Sequence, residues 1–130
     1  MSLLIGLHIQ EQLSKNEKVM AKVKDRIYPV VATQGAPAYP FIIFDSAVTG
    51  AEESKDGYVD ETAQVQIAVF GKSYGDAVRI AHEVRRTLSR GVADYADFSV
   101  VESRFVGSNE DYSDDLQAYI INLSFEFITV

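Results

Sequence analysis

Thr62–Leu88 has the sequence TAQVQIAVFGKSYGDAVRIAHEVRRTL, and this stretch decides the fold. In its first third, apolar residues alternate with polar ones, which is typical of a strand with one buried face. After Gly71, apolar residues recur at helical spacing, with charged residues on the opposite side. This apolar stripe consists of Ala77, Ile80, Ala81, Val84 and Leu88. The stretch therefore predicts a strand, a tight turn and a helix.

The turn itself, Gly71-Lys72-Ser73, matches the last three residues of a phosphate-binding loop. Such a loop needs another glycine five positions earlier, because its backbone N–H groups must wrap the phosphates. That position is Gln66, inside the predicted strand, so we interpret the turn as a connector. Ser73 and Asp76 then fit a helix cap, with a hydroxyl for an unpaired N–H and a carboxylate near the positive helix end. An anion site at the Gly71–Tyr74 turn, in a small ligand-binding or enzymatic α+β domain, is the alternative.

The composition of the whole chain restricts the class of protein. Its 130 residues predict a single domain, 1–130, that is large enough for a hydrophobic core. The absence of cysteine excludes disulfides and thiolate chemistry. A net charge of −7 argues against direct nucleic-acid binding, because phosphate recognition depends on Lys and Arg. The N-terminal MSLLIGLH lacks both a basic leader and a membrane-length apolar run, so we expect no signal peptide and no membrane partner.

Further elements are predicted on both sides of the central stretch. A first helix is expected to be capped by Ser2 and to end near Leu13. Leu3, Leu4 and Leu7 are expected to face inward, and Ile9 is a further candidate for this face. Strands are predicted at 41–48, 58–70, 98–106 and 116–129, with hairpin loops at 50–57 and 107–115. This order predicts an α+β fold. Its antiparallel sheet would have about four strands with long hairpins, and an N-terminal helix and a central helix would pack on one face.

The last predicted strand is unusually long. Its apolar face consists of Tyr119, Ile121, Leu123, Phe125 and Phe127. At roughly 3.3 Å per residue, a strand over 116–129 would reach roughly 46 Å. A compact chain of this size has a diameter of about 36 Å. The hairpin must therefore bend, bulge or project, and a projecting apolar hairpin favours an oligomer in which another chain covers it.

Two acidic segments fall in the predicted hairpin loops. We interpret both first as solvated tips, since the second lacks the register and the distant glutamate of a calcium loop. The alternative is that they form an oligomer interface or line a lumen. The candidate residues are Glu52, Glu53, Asp56 and Tyr58 in the first segment and Glu110, Asp111, Tyr112, Asp114 and Asp115 in the second.

No arrangement of residues predicts catalysis, a metal or a cofactor. His8 and His82 lie on different predicted helices without metal-ligand spacing, and we interpret them as surface or boundary residues. The nucleophile-elbow motif of serine hydrolases is missing from the sequence. Tyr39-Pro40 is a candidate for a cis peptide bond in the loop before the first long strand. We therefore predict a protein that is not an enzyme and needs no cofactor.

The chain as a whole resembles a known family through the order of its motifs. After the N-terminal helix come VKDRIYPVV at 23–31 and GAPAYPFIIF at 35–44. QVQIAVF at 64–70 then leads through GKSY at 71–74 into AVRIA at 77–81, and the closing strand ends in Phe127. In this order and spacing, the chain resembles the tail completion, or tail-terminator-like, proteins of long-tailed bacteriophages.

This resemblance implies a structural, non-enzymatic α+β protein with no catalytic residues to assign. It implies a homo-oligomeric ring, often a hexamer, at the head-proximal end of the tail, where it would join or seal the tube. The implied partners are the tail tube and the head-tail connector proteins. The implied location is the virion tail, after assembly in the host bacterial cytoplasm, in a phage or a prophage.

Overall fold

The sheet of this protein carries three helices. The computed structural model describes residues 2–32, 37–53, 59–89 and 91–130, and for Ser2, 49–53 and 59–60 it describes the backbone alone. After a 3-10 turn at Ser2–Leu4, the helices are α1 (Ile5–Lys15), α2 (Glu17–Val23) and α3 (Tyr74–Leu88). The strands are β1 (Ile27–Pro29), β2 (Phe41–Glu53), β3 (Val59–Gly71), β4 (Ala93–Asp94), β5 (Ser99–Ser113) and β6 (Ala118–Thr129).

The described strands form one six-stranded sheet in the order β1-β2-β3-β6-β5-β4. The mixed α+β architecture agrees with the sequence-based prediction, but the expectation of about four antiparallel strands was too simple. The two additional strands are short edge strands of three and two residues. β1 pairs with β2 in parallel, and the other neighbouring strands are antiparallel. Strands this short carry too little alternation to be recognised in a sequence.

The strands also extend through the segments predicted as acidic loops. β2 continues to Glu53, and β5 continues to Ser113, so the turn that joins β5 to β6 occupies 114–117. The predicted loop at 107–115 was therefore wrong over most of its length. From Ser108 to Tyr112 every residue of β5 is exposed. Because neither face of the strand is buried there, the sequence has no alternation of apolar and polar residues that would predict a strand. Backbone pairing with β6 holds this part of the strand instead.

The predicted apolar face of β6 is the centre of the core. Ile121, Leu123, Phe125 and Phe127 are each at most 5% exposed, and Tyr119 packs at the margin of the same cluster. α3 lies over this face and over the buried face of β3. The pairing of β5 with β6 shifts register at Val100/Glu102 and at Phe105/Gly107. Such bulges bend a strand, which is how a long hairpin fits a small domain.

The buried face of the N-terminal helix agrees with the prediction only in part, because Ile9 is buried and Leu4 packs against the core. Leu3 and Leu7 are 85% and 58% exposed, whereas Ile5, Ile9 and Leu13 are fully buried. The buried residues recur every four positions, so they form one helical stripe once α1 begins at Ile5. The N-cap position is Leu4, with no side-chain cap, so the prediction that Ser2 caps the helix was wrong.

The connector between β3 and α3 is built for close packing. β3 ends at Gly71, and a Cβ atom on this residue would lie 3.1 Å from the Cβ of Ala77. Ser73 is the N-cap residue of α3, and its Oγ accepts a hydrogen bond of 3.4 Å from the backbone N–H of Asp76. The absence of a side chain at Gly71 thus lets the first turn of the helix lie directly against the strand.

Candidate functional site

Lys72, in the connector between β3 and α3, bonds to the β5–β6 turn. It does not line an open phosphate-binding loop. Its Nζ donates to the carbonyl oxygens of Leu116 and Gln117, at 2.6 and 3.2 Å, and lies 4.6 Å from the ring centroid of Tyr39. The Tyr39-Pro40 bond that precedes β2 is cis. Gln66, at the position where a phosphate loop would have its first glycine, lies in β3 and accepts a hydrogen bond from Ser124 Oγ. The amine of Lys72 is therefore engaged in joining the connector to the β5–β6 turn.

The second acidic segment forms one end of the sheet. Glu110, Asp111 and Tyr112 lie at the end of β5, and Asp114 and Asp115 lie in the following turn. All five of these residues are exposed. We call residues 111–116 the tip. The group therefore lies at one end of the sheet, with Asp111 on the opposite face of β5 from Glu110 and Tyr112.

A tyrosine cluster attaches the tip to the start of α3. The Tyr74 hydroxyl donates to the carboxylate of Glu110 at 2.7 Å, and this hydrogen bond raises the pKa of Tyr74. The rings of Tyr74 and Tyr112 each meet the ring of Tyr119 edge to face, with centroids 5.4 and 5.1 Å apart. These contacts are favourable at about 1 kcal/mol each, so they fix the orientation of the tip.

The first acidic segment lies at the other end of the sheet. Glu52 and Glu53 end β2, whereas Asp56 and Tyr58 fall outside the described residues. In the central strand pair, formed by β3 and β6, Gly71 lies opposite Tyr119 at one end, and Glu61 lies opposite Thr129 at the other end. Glu52 and Glu53 are therefore separated from the second group by the length of the sheet.

A groove between α2 and α3 was missed by the sequence analysis. It has a volume of about 650 Å³ and an apolar lining to which Ala21, Val78 and Ile80 contribute. His82 and one carboxylate, that of Glu83, also line it. Lys18, Lys22 and Arg79 outnumber this carboxylate, so the rim is basic on balance. Its residues come from two helices more than fifty positions apart, so no single window of sequence contains the groove. We call it the helix groove.

Charge is unevenly distributed between the helices and the sheet. The three helices carry six basic and four acidic residues, whereas the described strands carry one basic and ten acidic residues. The net charge of −7 is therefore concentrated on the strands, and the helical layer is weakly positive. Complementary potentials of this kind steer the association of unlike surfaces.

The outer edge of β5 is open but guarded by charge. β4 covers this edge only at Ser99 and Val100. Glu102, Arg104, Glu110 and Asp111 follow along the open part, and the strand contains two bulges. Charged side chains and bulges are devices by which exposed edges resist the addition of another strand. This edge is therefore a poorer assembly surface than the groove or the tip.

His8 is part of the core, which corrects its interpretation as a surface or boundary residue. Its side chain is 4% exposed, and its Nδ1 lies 2.7 Å from the Tyr95 hydroxyl in a hydrogen bond. Its ring also packs edge to face on Phe127. Burial lowers the pKa of His8 from 6.5 to about 4, against an opposing effect of the Glu11 carboxylate. His82, by contrast, is exposed.

Within 2–32, 37–53, 59–89 and 91–130, no three His, Cys, Asp or Glu side chains come together as a group that could hold a metal ion. Among the described helices, none has the length and apolarity needed to span a bilayer.

Comparisons with known proteins give one family match and one match in fold. The family model for "Tail completion protein gp17" matches residues 8–130. A chain from the solved structure "Virion of native gene transfer agent (GTA) particle" has the same fold with a TM-score of 0.80, at 17% identity over 93% of this chain and 90% of that chain. No curated protein matches this sequence. Because the family match spans nearly the whole chain, this protein belongs to the family of tail completion protein gp17, the structural components of phage tails.

Proposed function

We propose that this protein forms a ring at the head-proximal end of a phage or prophage tail tube, where it completes the tail and joins it to the head. The ring contacts the tail tube on one side and the head-tail connector proteins on the other. It assembles in the cytoplasm of the host bacterium and remains in the virion. Family membership over residues 8–130 supports the placement in a tail.

The presence of two unlike, complementary surfaces on one chain carries the proposal of a ring. The tip is acidic, with five exposed candidate residues nearby, and the helix groove has a basic rim. Contacts between unlike surfaces are head-to-tail, and they close into a ring when the rotation between copies is right. The same two surfaces can also meet twice in a two-fold dimer, so the stoichiometry of the assembly distinguishes a ring from a dimer.

The role is structural rather than enzymatic. Three polar side chains could be considered as reactive groups, and each has a structural partner within the chain. Lys72 holds the β5–β6 turn, Ser73 caps α3, and His8 is packed between Tyr95 and Phe127. An enzyme's reactive groups would instead converge on a cleft with room for a substrate.

Labelling of tail tubes tests the placement. Purified tubes are incubated with the gold-labelled protein and imaged by negative-stain electron microscopy. We expect label at one end of each tube, and the labelled end should be the one that attaches to heads in a joining reaction. Label along the sides of the tubes, or at the end distal to the head, would contradict the proposed position.

A further inference from the structure

We propose that the tip of one copy, residues 111–116, inserts into the helix groove of the next copy. This inference rests on the proposed ring and assigns its subunit interface. It commits to a second copy of this chain as the occupant of the groove, in place of a peptide, a small ligand or the tail tube protein.

The helix groove offers an apolar surface with positive charge around it. Val78 is partly buried and Ala21 is exposed, so apolar surface is accessible between the two helices. Lys18 and Lys22 lie 3.7 Å from Glu83 and 3.8 Å from Asp76, which are long separations for ion pairs. Both lysine side chains are more than half exposed, at 71% and 55%. Such pairs contribute little, so the two lysines can turn to another carboxylate at small cost.

The tip has the complementary composition. Tyr112 and Leu116 are large apolar side chains that are 46% and 44% exposed. They are interspersed with the exposed carboxylates of Asp111, Asp114 and Asp115. Apolar residues flanked by acidic ones match an apolar groove with a basic rim. Both the hydrophobic contact and the charges therefore favour the same pairing.

The tip is also held in one conformation before it binds. Lys72 bonds to the carbonyl oxygens of Leu116 and Gln117, and the Ser113 hydroxyl accepts a hydrogen bond from the backbone N–H of Leu116. The ring of Tyr112 is fixed against Tyr119. Preorganisation lowers the entropy that a loop loses on docking. Because the tip is held at the start of α3 and is not part of the groove lining, a tip that fills the groove must come from another copy.

Disulfide trapping tests this interface directly, because the natural chain contains no cysteine. The double variant Ala21→Cys/Leu116→Cys places one thiol in the groove and one on the tip. Under mild oxidation we expect a ladder of covalent oligomers on non-reducing gels, and the ladder should collapse on reduction. The control variant Val31→Cys/Leu116→Cys has its first thiol on another exposed residue outside the groove, and we expect no ladder from it.

A charge swap provides the independent measurement. The variant Lys18→Glu/Lys22→Glu makes the rim acidic, and Asp114→Lys/Asp115→Lys makes the tip basic. Each variant alone should associate at least about tenfold more weakly than the natural protein. In a mixture, each altered surface meets its complement on the other variant, so association should return, with the two variants alternating. Circular dichroism of each variant checks that it is folded.

Each experiment is run with and without tail tubes. The outcomes distinguish a wrong interface from a wrong ring. Rings that form without a disulfide ladder, and that survive both charge reversals, would overturn the interface and leave the ring standing. A disulfide to the tail tube protein from Ala21→Cys would likewise assign the groove to that protein. If neither rings nor a ladder form in either condition, both the interface and the ring are wrong.

Discussion

His8 shows at the scale of a single residue how the core responds to acid. Its imidazole is buried beside Tyr95 and Phe127, and its pKa is lowered to about 4 because the charged form is poorly solvated there. In the unfolded chain the same group titrates near 6.5. As the pH falls below 6.5, the unfolded state therefore binds the proton before the folded state does.

The predicted consequence is a loss of stability between pH 6.5 and pH 4. His8 should account for up to about 3 kcal/mol of this loss, and it should contribute none of the pH dependence above that window. Urea unfolding of the natural protein and of His8→Gln, at several pH values, measures the contribution. We expect a shallower decline for the variant, whatever its stability at neutral pH.

His82→Gln is the matched control, because this histidine is exposed. It should keep the steep decline of the natural protein. Equal slopes for the natural protein and for His8→Gln would show that the buried imidazole does not cause the acid sensitivity.

At the scale of elements, the contact between β3 and α3 depends on a missing side chain. A Cβ atom at Gly71 would lie 3.1 Å from Ala77 Cβ and 3.4 Å from the carbonyl oxygen of Ser73. Gly71→Ala should therefore destabilise the protein by about 1 kcal/mol, the lower end of the cost of overpacking. Gly107 is the control, since a Cβ there meets no atom within 4 Å. A stability loss in thermal unfolding that is equal for the two variants would contradict the packing role.

Lys72 distinguishes a structural connector from an anion site. Its bonds to the β5–β6 turn and its contact with Tyr39 predict that Lys72→Ala lowers the free energy of unfolding by about 1 kcal/mol. Titration calorimetry of the natural protein with ATP and with inorganic phosphate should give no binding heat. Binding heat that is measured with the natural protein and lost in Lys72→Ala would contradict the structural role and support an anion site at Lys72.

The sequence was most informative where one face of an element is buried. The alternation in β3 and β6 and the stripe of α3 predicted the central packing, because burial imposes a period on the side chains. The end of β5 was missed because it is exposed on both faces and carries no such period. In α1, the run LLIGLHI at 3–9 offers apolar residues on more than one side, so the sequence allowed two stripes. The predicted inward set was therefore right for Leu4 and Ile9 and wrong for Leu3 and Leu7.

The two parts of the candidate site, the tip and the helix groove, also differ in how well the sequence predicted them. The acidic residues near the tip were visible in the sequence because they are consecutive. The helix groove was not visible, because its two walls meet only after α1 and α2 fold onto α3. Ile80 belongs to the buried stripe of α3 and Val78 lies beside that stripe, while the other lining residues are small or polar, as on an ordinary exposed helix face. Sequence alone therefore gave one half of the proposed interface.

At the scale of the whole molecule, the chain presents two unlike surfaces, the tip and the helix groove. In the proposed ring, these are the surfaces through which neighbouring copies meet. Phe125 and Phe127 are 1% and 0% exposed, so replacing them with Asp would unfold the chain and would not report on assembly. Assembly must instead be read from surface positions in the groove and on the tip. The proposed function also requires that the same chain leave further surface free for the tail tube and for the connector proteins.

The most direct test of the ring is negative-stain electron microscopy of the purified protein over a concentration series, alone and with tail tubes, alongside native mass spectrometry. We predict annular particles of uniform diameter and a single closed stoichiometry, free in solution or seated at one end of the tubes. A protein that stays strictly monomeric at high concentration, and that leaves the ends of the tubes bare, would contradict the account.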